Sequence, residues 1–390
     1  RRDDYPRHAV IASRPDADLD AFAVCGTTLA AVWNVDGRSE LELIEPDREA
    51  VGPVRQPLVP PADVVRSVSF AGDRSCLLVR AEGPTRPPHL VRYRLRGPEP
   101  TAEPVLPGRG ADTGYEGLIE PVLLHFDADD GLRLSGLWYE PASSDTTSGA
   151  ASPPGAAVLW LHGGPEAQER PTFAPLLQAL AAAGIGVFAP NVRGSSGYGR
   201  GFVNADNHER RWSAIGDVAA AARCLVEAGM ADRSRLGCTG RSYGGYLTLA
   251  ALVTHPELFR AGVDVCGMSD LETFFAHTDP WIAAAATTKY GDPAQDRTLL
   301  RELSPLHRID RLVAPLLVVH GEHDTNVPLI EARQVVEALR ERGAAPGLLL
   351  FPDEGHEIMS IANRTTFVEA VVQWLSGHLR DAPARLLTSG

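Results

Sequence analysis

Three side chains in the second half of this chain could together perform nucleophilic acyl transfer: Ser242, Asp324 and His356. Alkyl hydroxyls are poor nucleophiles at neutral pH. Such a hydroxyl needs a general base to take its proton, and the base needs a carboxylate to orient it. Ser242 lies in Gly240-Arg241-Ser242-Tyr243-Gly244-Gly245. An apolar run, Arg235–Thr239, precedes this stretch, and a helix-like run, Tyr246–Leu252, follows it. The pattern predicts a strand, a sharp turn and a helix, with the serine hydroxyl exposed at the turn. Glycines two before and two after the serine leave room that a Cβ would fill. The helix N-terminus beneath the turn favours negative charge. Three fixed positions in five recur by chance, so the motif alone also fits a glycine-rich turn in a Rossmann-like domain.

The partners follow in the order serine, acid, histidine that a strand–turn–helix nucleophile requires. Ala314–Gly321 reads as a buried strand and ends in Glu322-His323-Asp324-Thr325-Asn326-Val327-Pro328. A carboxylate just past the C-terminal end of a central strand is where ligands meet open α/β sheets. Asp324 is the expected orienter. Glu322 is its rival, and Asp324 also reads as a helix N-cap before Val327-Pro328. A helix-like stretch (Ile330–Arg342), a strand (Gly347–Phe351) and a loop containing Gly355-His356 come next. A histidine in that loop can swing over the serine, so His356 is the expected base. It also reads as a surface histidine, while the rivals His320 and His323 precede or crowd the acid. Upstream, the strand-like Ala157–Leu161 runs into His162-Gly163-Gly164-Pro165. Glycines let backbone N–H groups approach a developing oxyanion. The expected donors are the N–H of Tyr243 and that of Gly164.

The elements that must position these groups alternate. A hairpin, Val122–Phe126 with Leu132–Trp138, opens the region. Strand Ala157–Leu161, a helix near Phe173–Ala183, strand Gly186–Pro190, helix Ala214–Ala228, the strand–turn–helix around Ser242 (the nucleophile elbow), and strand Ala261–Cys266 follow. This alternation predicts an α/β-hydrolase fold with a mostly parallel sheet covered on both faces over residues 113–390. Ser143–Pro154 reads as a polar loop. Residues 1–112 read instead as all-β. Leu29–Trp33 and Ser39–Ile44 flank the turn Asn34-Val35-Asp36-Gly37, and Val64–Phe70, Ser75–Arg80 and His89–Leu95 add three strands. They look like roughly two four-stranded β-propeller blades, too few to close a ring. The expectation is a truncated propeller, with a small unrelated β cap as the alternative. Thr101–Gly114 reads as the linker.

His162–Pro165, Asn191–Gly199, Gly240–Gly245, Gly321–Pro328 and Gly355-His356 together resemble the prolyl oligopeptidase family of serine peptidases. The match looks closest to its acylaminoacyl-peptidase-like branch. The resemblance spans roughly residues 117–380, and so many motifs in one order make it specific. It implies an α/β-hydrolase domain paired with a β-propeller that screens the site. It further implies cleavage of short peptides and amides rather than folded proteins, with no metal or organic cofactor. Ser242, Asp324 and His356 take the roles already assigned. Arg193, in Asn191–Gly199, looks like a structural arginine near the active-site loops, against the plain reading of a surface arginine. Asn326 stands where an arginine often precedes Val-Pro, which alters a contact at the pocket edge. The oxyanion loop has no tyrosine, so the second donor is backbone, as in the acylaminoacyl branch.

Loops after the strands supply substrate pockets in this fold. Phe274, Phe275 and Trp281 could line an apolar subsite or pack their own excursion onto the core. Val327 adjoins the acid, the Tyr243 side chain is expected near the leaving group, and Arg193 is a further pocket candidate. The reaction is read as peptidase or amidase chemistry. A carboxylesterase or metabolite-specific amide hydrolase is the alternative, and a non-catalytic scaffold is a third reading, because pocket shape decides what one triad serves.

The net charge is −13, with no basic run, which argues against a nucleic-acid partner. No run of about 18 apolar residues suggests a transmembrane helix. Arg1–Arg7 carries neither an apolar signal core nor an initiator Met. Five cysteines without tight spacing argue against a disulfide framework or a zinc site, and a reducing cytoplasm is the default. The expected partners are a short peptide or small amide and the rest of the propeller, on the same or another chain. A homo-oligomer is left open.

Overall fold

The structure is a computed structural model that describes residues 10–46, 53–97, 100–105, 117–142 and 155–380. The chain divides into two units.

The first unit holds two four-stranded antiparallel sheets. One runs β1 (Asp18–Cys25), β2 (Thr28–Val35), β3 (Arg38–Glu45), β4 (Val54–Leu58); the other runs β5 (Val64–Phe70), β6 (Cys76–Gly83), β7 (Arg86–Arg94), β8 (Thr101–Pro104). Val35 pairs with Arg38, so Asp36-Gly37 forms a two-residue loop. Both loop residues have positive φ (50° and 86°), as a type I′ hairpin turn requires. Ala30, Val32, Leu41 and Leu43 of the first sheet share one core with Val65, Leu77, Val79 and Val91 of the second. These two sheets are the all-β region expected from the sequence. One boundary needs correction: Thr101–Pro104, read as linker, is a strand paired with β7. β4 and β8 escaped notice because each contains a proline. An edge strand tolerates proline because one side of its ladder stays unpaired, and both strands are edges. Residues 106–114 of the expected linker and the whole Ser143–Pro154 loop lie outside the described residues.

The second unit is an eight-stranded sheet. Its strands are β9 (Val122–Asp127), β10 (Arg133–Tyr139), β11 (Gly155–Leu161), β12 (Gly186–Asn191), β13 (Ala231–Arg241), β14 (Ala261–Val265), β15 (Leu316–Gly321) and β16 (Gly347–Phe351). Across the sheet they run β16-β15-β14-β13-β11-β12-β10-β9. Every pair from β16 to β12 is parallel, and β10 pairs antiparallel on both sides. This is an α/β-hydrolase sheet.

Nine α-helices accompany it among the described residues: α1 (Pro175–Ala182), α2 (Gly199–Val203), α3 (Arg211–Glu227), α4 (Tyr243–Thr254), α5 (Leu271–His277), α6 (Pro280–Tyr290), α7 (Arg297–Leu303), α8 (Ile330–Glu341) and α9 (Ile361–Leu379). Successive strand residues point to opposite faces, and the core divides accordingly. Leu159 and Val318 pack with α3, α4 and α8, while Val158 and Val319 pack with α1 and α9. No helix among the described residues is long and apolar enough to cross a membrane.

The tightest joint is where β13 turns into α4. A Cβ on Gly244 would lie 1.9 Å from the Leu161 carbonyl oxygen at the end of β11, and one on Gly240 would lie 2.5 Å from the Gly244 backbone. None of these backbones can retreat without breaking strand or helix hydrogen bonds. Gly244→Ala is therefore expected to destabilise the fold by ~3 kcal/mol or more. Gly216→Ala, in open space on α3, should raise stability by ~0.5–1 kcal/mol through helix propensity. Urea unfolding of both variants checks the pair, and a Gly244→Ala protein as stable as wild type would refute the close-approach argument.

Candidate active site

Ser242 stands between β13 and α4 with φ 58° and ψ −117°. A non-glycine residue rarely adopts this conformation, and it persists only where the surroundings over-determine it. Here they do. The Ser242 N–H donates to the Val265 carbonyl at 2.8 Å, and the Tyr246 N–H closes the first helical turn on the Ser242 carbonyl at 3.0 Å. The serine side chain is thereby turned out of both elements.

His356 lies in the loop after β16, half-buried. Its Nε2 is 3.1 Å from Ser242 Oγ, and its Nδ1 is 2.7 Å from Asp324 Oδ2. With the Nδ1 proton donated to the carboxylate, Nε2 is free to accept from the serine hydroxyl. Asp324 is buried past the end of β15. Its Oδ1 accepts the N–H groups of Asn326 and Val327, both at 2.9 Å. The two readings of Asp324 thus coexist in one side chain: one oxygen caps the following turn, and the other meets the imidazole. Glu322 and His323 are exposed. His320 is buried and donates from Nε2 to the Val327 carbonyl at 2.8 Å. Burial holds its pKa below the usual histidine range.

The His162–Pro165 loop leaves β11 beside the elbow. A Cβ on Gly163 would lie 3.6 Å from Ser242 Cβ and 3.3 Å from the Arg241 carbonyl oxygen. Gly164 has φ 126°, and a Cβ there would meet the Glu166 nitrogen at 2.7 Å. Tyr243 is the first residue of α4, where backbone N–H groups have no acceptor within the helix. His162 is buried and anchors the loop, with Nδ1 2.7 Å from the Gly163 carbonyl oxygen and Nε2 2.8 Å from Ser195 Oγ. Arg241, just before the serine, donates to the His356 carbonyl and pairs with Glu357 at 2.8 Å. It ties the histidine loop to the elbow.

Several pocket expectations change. The Tyr243 side chain does not face the leaving group: it is buried, stacks on Tyr246 at 5.9 Å and reaches Arg211 with its hydroxyl at 2.5 Å. A helix-start residue whose backbone faces the turn directs its side chain into the core instead. Arg193 is not a pocket residue either. Its buried guanidinium grips Asp217 at 2.8–2.9 Å and Asp130 at 2.7–2.9 Å. These bonds hold the Asp130 carboxyl down to about 2. Phe274 belongs to the core, with Phe275 packed edge-on against it at 5.6 Å. Trp281 is 68% exposed, and Val327 is buried beside the acid. The segment leading to Trp281 is attached to the acid loop, because Thr278 Oγ1 donates to the Asn326 carbonyl at 2.7 Å and the Asp279 N–H to that of Thr325 at 3.2 Å.

Two groups among the described residues bring three potential metal-ligand atoms within 4.8 Å of one another. In the first, Asp324 and His356 already bond each other, and burial pushes the Cys266 thiol up to about 12. A thiol held protonated is a poor ligand. In the second, Asp270 caps α5 through the Glu272 N–H at 2.9 Å and lies 3.2 Å from His307 Nε2, with Glu272 as the third member.

Residues 171–382 match the prolyl oligopeptidase family. The chain belongs to that family. Dipeptidyl aminopeptidase BIII of Pseudoxanthomonas mexicana is 31% identical over 338 residues, covering 85% of this chain and 46% of that protein. Acylamino-acid-releasing enzyme 2 of Oryza sativa subsp. japonica is 30% identical over 210 residues, covering 52% of this chain and 27% of that one. A solved puromycin-hydrolyzing peptidase of Mycobacterium tuberculosis matches with a TM-score of 0.83 at 24% identity, over 95% of this chain and 57% of that chain. At that identity the likeness speaks for the fold. The chain spans about half, or less, of the length of these curated relatives.

In this prolyl oligopeptidase-family chain a second acid lies beneath the elbow. Asp264 on β14 is fully buried, and a Cβ on Gly245 would come 2.5 Å from its Oδ1. That oxygen accepts the Gly267 N–H at 2.9 Å. Burial, with Glu331 nearby, pushes the Asp264 carboxyl up to about 7. Between about pH 4, where an unfolded aspartate titrates, and pH 7 the native state binds the extra proton. The stability this proton confers is full below that window and is lost as pH rises through it, by up to ~4 kcal/mol. Asp264→Asn keeps the acceptor and removes the titration. Its unfolding free energy should therefore fall less than that of wild type between pH 5 and pH 8. Equal slopes for the two proteins would show that Asp264 is not the titrating group.

Proposed function

We propose that this chain carries the catalytic domain of a serine peptidase or amidase that cleaves short peptides or aminoacyl and acylaminoacyl amides. The observation that carries this reading is the unbroken hydrogen-bond line from Asp324 through His356 to Ser242 Oγ, at 2.7 and 3.1 Å. The names of the relatives, a dipeptidyl aminopeptidase and an acylamino-acid-releasing enzyme, support a peptide-like amide as the substrate class. Residues 1–112 are read as propeller blades and 113–390 as the catalytic domain, which the pair of antiparallel sheets ahead of the parallel one supports. Five free cysteines support a reducing compartment such as the cytoplasm.

In this mechanism His356 Nε2 takes the Ser242 proton as Oγ attacks the scissile carbonyl carbon. The N–H groups of Tyr243 and Gly164 receive the oxyanion of the tetrahedral intermediate. Asp324 Oδ2 faces the imidazolium as it forms, while the two N–H bonds to Oδ1 keep the carboxylate from rotating away. The leaving amine takes the proton from His356, and water then repeats the sequence on the acyl-enzyme. Of the pocket candidates the exposed Trp281 agrees with its surroundings, whereas Val327 packs in the same core as Phe274.

The test compares kcat/KM on matched p-nitroanilides, one with a free α-amine and one N-acetylated, and on a p-nitrophenyl ester. Ser242→Ala should lower anilide kcat by roughly 10⁴- to 10⁶-fold with the fold intact. Asp324→Asn should lower it by roughly 10⁴-fold by holding the imidazole in the wrong tautomer. Near-normal turnover by Ser242→Ala would sink the reading, and serine-dependent cleavage of the ester alone would replace it with an esterase.

A further inference from the structure

Arg211, the first residue of α3, is fully buried. A whole guanidinium is seldom buried unless it is paired. This one lies between the rings of Tyr243 and Tyr290, 4.9 and 4.6 Å from their centroids. It donates to the Asp206 carboxylate, to the Tyr243 hydroxyl at 2.5 Å and to the Lys289 carbonyl at 3.1 Å. Asp206 is equally buried. Its Oδ2 lies 3.3 Å from the Tyr243 hydroxyl, and its Oδ1 lies 3.4 Å from Lys289 Nζ. Lys289, also buried, donates to the Val203 carbonyl at 2.6 Å and pairs with Glu166 at 3.2 Å. The chain of contacts therefore runs Tyr243–Arg211–Asp206–Lys289–Glu166, with two cations and two anions.

Its two ends are informative. Tyr243 supplies one oxyanion N–H in the proposed mechanism, and Glu166 is two residues beyond Gly164, which supplies the other. These donors come from different elements, a helix start and a glycine loop. Both must point at one oxygen from about 2.7–3.1 Å. Stability alone does not account for the network, since well-packed apolar residues usually replace a buried ion pair without loss. We propose that Arg211, Asp206 and Lys289 are positioning residues that fix the two halves of the oxyanion hole relative to each other. The proposal rests on the reading of Tyr243 and Gly164 as oxyanion donors.

Two gentle variants break the chain at its ends. Glu166→Gln changes a largely exposed carboxylate, and Tyr243→Phe keeps the ring and the backbone N–H. Both, and the double variant, are assayed on the best p-nitroanilide and titrated with a peptide aldehyde of matching sequence. The aldehyde adds to Ser242 and puts an oxygen where the oxyanion forms. Each single variant should lower kcat about 10-fold, short of the ~10²–10³-fold of deleting a donor. KM should stay within about twofold, and the aldehyde Ki should rise in parallel with the fall in kcat. The double variant should lose less than the product of the two, because either break already uncouples the halves. Multiplicative losses, unchanged kcat, or a change confined to KM or to thermal stability would overturn the proposal. The underlying reading is judged separately on wild type: turnover that survives Ser242→Ala defeats it and this proposal together. Serine-dependent turnover with multiplicative variants defeats this proposal alone.

Discussion

Three backbone segments meet at Ser242 with no room for a side chain between them. The end of β13, the start of α4 and the end of β11 approach so closely that a Cβ on Gly244 would overlap the Leu161 carbonyl. Much of the site depends on this contact. It forces the chain to reverse within one residue, which gives Ser242 its positive φ and turns its side chain outward. It also decides what lies next to the serine. Because Leu161 abuts the elbow, the residues that follow it must pass beside Ser242. One steric constraint thus presents a hydroxyl and brings backbone N–H groups to it.

Burial then sorts the charges around the elbow by position. Asp324 reaches the imidazole with one oxygen and has its other satisfied by two backbone N–H groups. Asp264, on the neighbouring strand, has a single backbone donor on Oδ1 and sits in the dry core, so its proton is held up to about neutral pH. His320 has one ring nitrogen on a backbone carbonyl and is kept neutral by burial. Two aspartates and two histidines within a few residues of strand ends therefore divide into a pair that meets the serine and a pair that belongs to the core. The difference lies in their partners, since the residue types are the same.

That difference explains what was legible in the sequence. The elbow was, because the glycine spacing around Ser242 is a local steric requirement. The acid and histidine loops were, because each follows an apolar strand run. The direction of the Tyr243 side chain was not: it depends on Arg211 and Asp206, more than 30 residues away and unmarked by any motif. Arg193 gave no sign of its partners either, because Asp130 and Asp217 come from a hairpin turn and a helix that only the fold brings together. Phe274 and Trp281 share one aromatic stretch, and packing alone sends one inward and the other out. The pairing of Arg241 with Glu357 had a faint signal, a cation before the serine and an anion after the histidine.

A triad and an oxyanion hole recognise little beyond a carbonyl carbon and its oxygen. They cannot distinguish a substrate with a free α-amine from one with an acylated amine, because that group lies further along the chain being cleaved. Discrimination must come from surfaces outside the elbow. One segment of this unit is tied directly to the acid loop: Thr278 and Asp279, just before Trp281, donate hydrogen bonds to the backbone carbonyls of Thr325 and Asn326, beside Asp324. A shift in that segment would be felt at the acid, and a shift in the acid loop would move Trp281. The serine thus answers to the sheet and the elbow, and the Thr278–Trp281 segment is attached to a loop whose backbone the same aspartate already caps.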